Sequence, residues 1–258
     1  MYLLPDYVIN ITIFIYGLCI GSFSNVCIHR LPLSKSIKSP PSSCPHCSHL
    51  IRFYDNIPLI SYVLLKGKCR NCKKHISFRY PFVELLGGVF ALLIYLKYGL
   101  TFEAFLYYIF VIALIIITFV DIDHQIIPDV ISLPGIPIGF LASFALPSIN
   151  FMDSLIGILV GGGSLFIVLW VYHFVTGAEG MGGGDVKLLA MIGAIIGWKG
   201  VIFTIFISSV TGTIIGIVIM LRTKKGLKLA VPFGPFLSIG AVLYVFYGPE
   251  LIRWYFNI

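Results

Sequence analysis

Three groups of residues in this sequence have the types and spacing to do chemistry. D-I-D-H-Q-I-I-P-D, from Asp121 to Asp129, puts three carboxylates and a histidine directly after an apolar run. T-G-A-E-G-M-G-G-G-D-V-K, from Thr176 to Lys187, holds five glycines and two carboxylates, again between apolar runs. Cys44, Cys47, Cys69 and Cys72 form two Cys-x-x-Cys pairs. A carboxylate at the edge of a membrane segment is costly to desolvate and is a functional candidate for that reason. Two of them on different helices can act as general acid and general base on one water. Like charges held close cannot both ionise, so one carboxyl keeps a proton while the other accepts one, and the pair titrates as a unit. Glycines ahead of Asp185 remove side chains and let the backbone turn sharply or approach a ligand. Four thiolates in paired turns are the donor set of a tetrahedral zinc site.

The elements that must position these groups are membrane helices. Of 258 residues, 58% are apolar and only 11% charged, against roughly 25% charged in soluble domains. The expected fold is an all-α polytopic membrane protein of about eight transmembrane helices with a small cytoplasmic zinc-binding loop domain. The spans are Tyr7 to Ile28, Pro81 to Tyr98, Phe102 to Val120, Val130 to Leu146, Ser154 to Val175, Val186 to Trp198, Val201 to Leu221 and Ala230 to Tyr247. The sixth is short for ~30 Å of hydrocarbon. This divides the chain into a first transmembrane helix (1–29), a cysteine loop (30–80) and a transmembrane core (81–258).

Charge sets the orientation. Asp6 precedes the first span and no Lys or Arg does, which argues for an uncleaved helix with its N-terminus outside. Ten of the eighteen basic residues lie between Arg30 and Arg79 against one acid, Asp55, so that loop is cytoplasmic. Arg222, Lys224, Lys225 and Lys228 fall on the same side by span parity, as do Asp121 and Asp185. The net charge of +7 is accounted for by these clusters beside spans, which attract anionic lipid, rather than by nucleic acid.

Smaller signals complete the reading. The insert of twenty-one residues between the cysteine pairs is just beyond the usual zinc-site window. Disulfides are the rival, but they are rare in a reducing compartment. His46, His49 and His75 are alternative ligands, and Cys19 and Cys27 read as small apolar fillers in the first span. Gly21, Ser22 and Ser24 suit close helix packing, where Asn25 needs an internal partner. Glu84 is either a partner for Arg79 or a headgroup-level residue. If the third helix continues beyond Val120, Asp121 lies in line with its buried face while Asp123 points elsewhere, and Pro128 limits its run. The glycines from Gly157 to Gly163 permit close helix approach. Pro232, Gly234 and Pro235 break the start of the last span, and either shape the site or only bend the helix. Singly, Asp121 and Asp185 also read as helix-capping interfacial residues. An ion-coupled transporter would put acids near the midplane and repeat its halves, and neither feature is present. A non-catalytic scaffold leaves the glycine–aspartate turn unexplained.

Together these motifs resemble one family. G-S-F-S-N-V-C-I-H-R-L-P (Gly21 to Pro32), the two cysteine pairs, I-S-F-R-Y-P-F-V-E (Ile76 to Glu84), D-I-D-H-Q-I-I-P-D and G-G-G-D-V-K-L (Gly182 to Leu188) are similar to those of type IV prepilin leader peptidases, membrane aspartic proteases of the G-x-G-D type. The resemblance implies catalytic Asp121 and Asp185, with Gly182, Gly183, Gly184, Asp123, Asp129 and Lys187 in support. It implies a prepilin or pseudopilin substrate in the bilayer, cut at the cytoplasmic face of a bacterial inner membrane after a glycine of its basic leader. It further implies N-methylation of the new terminus from S-adenosylmethionine, with zinc on Cys44, Cys47, Cys69 and Cys72; a peptidase-only member is the variant reading. No strand-and-glycine nucleotide fingerprint accompanies the methyl-transfer expectation.

Overall fold

A computed structural model describes residues 5–177, 182–223 and 231–256. Ala178 to Met181, with Glu179, and the basic residues Lys224, Lys225 and Lys228 lie outside the described residues. The helices are α1 (Asp6–Arg30), α2 (Ile60–Leu64), α3 (Arg79–Tyr98), α4 (Phe102–His124), α5 (Asp129–Ala142), α6 (Phe151–Thr176), α7 (Gly183–Thr223) and α8 (Gly234–Phe256). No strand forms among the described residues, only two isolated bridges in the cysteine loop. Among the described residues, five helices are long and apolar enough to cross a membrane: α1, α3, α4, α6 and α7. α7 breaks at Gly197 (φ 73°, ψ 176°), a conformation costly for residues with a Cβ, so its 41 residues are two helices joined at one glycine. Counted that way, the apolar helices among the described residues match the eight expected. α5 ends at Ala142, four residues short of the expected Leu146, because the chain turns at Ser143.

Two compact units divide within α4, Met1–Ile116 and Ile117–Ile258. In the first, α1 crosses α3 at glycines. A Cβ on Gly17 would lie 2.6 Å from the Gly87 carbonyl, and one on Gly21 would lie 2.7 Å from Glu84 Cα. Such contacts are how helices associate in lipid, where apolar burial supplies no drive. Asn25 donates to the Tyr80 carbonyl at 3.0 Å, the internal partner its burial requires. The Tyr108 hydroxyl reaches the Gly17 and Gly87 carbonyls, both at 3.4 Å. Cys27 is buried and Cys19 exposed on α1.

In the second unit, α7 is the central helix, packed by α5, α6 and α8. Gly157 of α6 meets Gly193 of α7 backbone to backbone, and Gly161 meets the Leu189 carbonyl. Ser154 donates to the Ala194 carbonyl at 2.7 Å across the same seam, and Trp198 Nε1 donates to Asp153 at 2.9 Å. Leu188, Leu189, Ile192 and Val201 are fully buried. The start of α7, which carries Asp185, is thereby held in the middle of its unit.

Candidate active site

Asp121 sits in the last turn of α4, which continues past Val120 to His124 and ends where Gln125 takes a positive φ of 54°. The helix carries Asp121 inward, 4% exposed, and leaves Asp123 on the surface, as helical periodicity requires; His124, one turn on from Asp121, is exposed because the helix ends there. Asp185 stands in the first turn of α7, 9% exposed, its amide donating to the Gly182 carbonyl at 3.2 Å. Asp121 lies within electrostatic reach of Asp185. Both line one cavity of about 870 Å³.

The glycines have separate parts. Gly184 faces Ile127, where a Cβ would meet the Ile127 Cβ at 3.0 Å, so this glycine lets the start of α7 close on the segment that follows α4. Gly182 and Gly183 are exposed and face open space. At the cavity rim Lys187 Nζ grips both oxygens of Asp129, at 2.8 and 2.9 Å, tying α7 to the first turn of α5. Both partners are substantially exposed, so the pair contributes alignment more than stability.

One functional contact was only half legible in the sequence. The Gly234 amide, in the P-F-G-P break, donates to Asp121 Oδ2 at 2.9 Å. A Cβ there would sit 2.7 Å from that oxygen, so the break shapes the site as well as starting α8. Sequence reasoning also missed the wall supplied by Leu165, Val168 and Tyr172 of α6. Their three- and four-residue spacing marks one helical face, a signal lost because the whole helix is apolar.

The cysteine loop of the first unit repeats one local design. Cys44 and Cys69 each accept from the amide four residues on (Ser48 at 2.9 Å, Lys73 at 3.1 Å) and donate to the carbonyl five residues on (His49 at 3.0 Å, Lys74 at 2.9 Å). Ser48 and Lys73 both take positive φ, 54° and 59°. The two knuckles bring all four Sγ atoms within 4.8 Å of one another, with Cys44 and Cys72 at 3.9 Å. Edges of a tetrahedral thiolate site with ~2.3 Å metal–sulfur bonds would be about 3.8 Å, so this donor set fits a metal ion. The electrostatics point the same way. The amide of His49 lowers the Cys47 thiol, and those of Cys72 and Asn71 lower Cys69 to about 7. Cys72, despite the Lys74 amide, is pushed up to about 11 by burial and its neighbouring thiols. A dication relieves that crowding by deprotonating the thiols outright.

Known proteins share these features. Residues 15–98 match the family profile described as the bacterial peptidase A24 N-terminal domain, and residues 108–217 match that of the type IV leader peptidase family. A Stutzerimonas stutzeri protein named prepilin leader peptidase/N-methyltransferase is 38% identical, covering 93% of this chain and 91% of its own length. Proteins of the same name from Pseudomonas aeruginosa (38% identical, 93% and 90% covered) and Aeromonas hydrophila (34%, 94% and 92%) are similarly related. No solved structure matches.

Proposed function

We propose that this chain, which belongs to the prepilin leader peptidase/N-methyltransferase family, cuts the basic leader from type IV prepilins or pseudopilins with Asp121 and Asp185, then methylates the exposed N-terminus. The observation that carries the reading is the pair of buried carboxyls, from two different helices, opening on one cavity at one end of α4 and α7. The nucleophile of this reading is a water taken up between them from the cavity. The Gly234 amide pairs with an oxygen of Asp121, which suits a carboxylate, so Asp121 acts as the base that takes a proton from water. Asp185 carries the shared proton and gives it to the scissile carbonyl oxygen as the hydroxide adds. Collapse of the tetrahedral intermediate breaks the C–N bond: the proton held by Asp121 passes to the leaving amine, and a hydroxyl proton of the intermediate returns to Asp185 as the C=O bond of the acid product re-forms. Asp129 and Lys187 hold α5 against α7 at the rim, Gly182 and Gly183 leave room for an extended peptide, and Gly184 lets the start of α7 close on Ile127. Asp123, exposed beside the dyad, supports without reacting.

The cysteine cluster holds zinc on Cys44, Cys47, Cys69 and Cys72, which supplies no reacting group but fixes a loop too small to fold on apolar burial alone. The methyl group comes from S-adenosylmethionine, as the shared name of the relatives suggests. Basic residues between Arg30 and Arg79 support an N-terminus outside a bacterial inner membrane and a cytoplasmic dyad.

Cleavage of a model prepilin by full-length protein in lipid, scored by size shift and N-terminal mass, tests the dyad. Asp121→Asn and Asp185→Asn should each lose roughly 10²–10⁴-fold in rate, the usual contribution of a positioned acid or base, while Asp123→Asn stays largely active. Cleavage by all three variants would rule out the aspartic mechanism.

A further inference from the structure

The insert between the cysteine knuckles carries an apolar surface that the peptidase reaction does not use. From Ile57 to Leu65 it reads I-P-L-I-S-Y-V-L-L, with no charge between Asp55 and Lys66. Its one hydroxyl-bearing aliphatic residue, Ser61, is buried and turned inward, donating to the Tyr54 carbonyl at 2.9 Å and accepting from the Ile57 amide at 3.0 Å. The apolar members turn outward instead. Val63 and Leu64 of α2 are 71% and 75% exposed, and the neighbouring Phe53 and Phe78 are 86% and 70% exposed.

The depth of this surface can be read from α3. With 20 residues at ~1.5 Å each, α3 is about 30 Å long, the thickness of the hydrocarbon, so its whole length from Arg79 is needed to cross. Glu84 lies five residues in, roughly 7.5 Å along the axis. Its Oε2 accepts the Leu59 amide at 2.8 Å, which holds the residue preceding α2 at that level. Interfacial helices bury their apolar face to about this depth, ~5–10 Å into the headgroup–acyl boundary. Charge agrees with depth. Lys66 and Lys68 follow α2 and Arg52 precedes it, all exposed, while the acid between them, Asp55, is taken by Arg70 at 2.7–3.0 Å.

We infer that residues 53–66 form an interfacial anchor, lying in the headgroup–acyl boundary of the anionic bilayer that α1 and α3 cross and fixing the height of the cysteine knuckles above it. The Glu84–Leu59 bond also answers why a carboxylate stands inside an apolar helix: it ties the anchor to the span.

The test uses full-length protein in vesicles of phosphatidylcholine with and without phosphatidylglycerol. Photoreactive benzoylphenylalanine replaces Val63 or Leu64, with Leu96 of α3 (61% exposed) as a lipid-facing reference and Lys74 of the second knuckle as a water-facing one. Mass spectrometry of adducts should give lipid products at positions 63 and 64 within about threefold of position 96 and roughly tenfold above position 74, rising with phosphatidylglycerol. Yields at 63 and 64 as low as at 74 overturn the inference. Cross-links to a second copy or to added prepilin in place of lipid overturn it as well, since the surface would then be a protein site.

Discussion

Replacing Gly234 by alanine asks the most of this structure for the smallest change. The added Cβ would stand 2.7 Å from Asp121 Oδ2, 3.3 Å from its Cγ and 3.5 Å from its Cβ. Gly234 takes no left-handed backbone conformation, so alanine adds no positive-φ strain there. The atom struck is the far end of a side chain, and the Asp121 carboxylate swings aside while α4 and α8 stay where they are. The same movement stretches the 2.9 Å bond from the Gly234 amide. Displacement of a reacting group by a sizeable fraction of an ångström costs about 10²-fold in rate, or roughly 2.7 kcal/mol of transition-state stabilisation. Cleavage of a model prepilin should therefore fall by about that factor in kcat/KM, with the melting temperature in detergent near wild type. Methylation of a synthetic pilin peptide that already begins at the processed residue should be unchanged, because the proposed mechanism gives the dyad a part in cleavage alone. Cleavage within about threefold of wild type would refute the positioning role. Parallel loss of methylation would refute it too, since the damage would then be global.

Two further outcomes follow from the packing and the cysteine cluster. Metal stripped from the full-length protein, or Cys69→Ser, should reduce zinc content and lower methylation at least as much as cleavage, because on the proposed reading metal binding would supply most of the loop's folding free energy; fully chelated protein retaining both activities and its fold would make the metal irrelevant to them. Gly157→Val should destabilise the second unit by about 1–3 kcal/mol or more, since its neighbour is the Gly193 backbone and cannot yield, whereas Gly163→Val, with nothing within 4 Å, should leave the melting temperature unchanged; equal melting temperatures for the two would refute the close seam between α6 and α7.

What the sequence determined by itself is what local spacing and composition can encode. Long apolar runs dictate membrane helices, and Cys-x-x-Cys closes within one turn, so the knuckles could be anticipated from neighbours a few residues apart. The burial of Asp121 against the exposure of Asp123 follows from the helical repeat once α4 is continued to His124. The two apolar runs also predicted a break in this region, at Lys199 and Gly200; the structure places it at Gly197, inside the expected sixth span, because only a glycine takes the positive φ found there. What the tertiary structure alone decided are partners far apart in the chain. Gly234 meets Asp121 across 113 residues, Glu84 takes the Leu59 amide across 25, and Lys187 finds Asp129 across 58. The wall of α6 was hidden for a related reason. In a membrane helix the face toward lipid is as apolar as the face toward protein, so no periodicity announces which side packs. The choice falls to glycine contacts and single polar bonds, whose partners exist only once the helices have met.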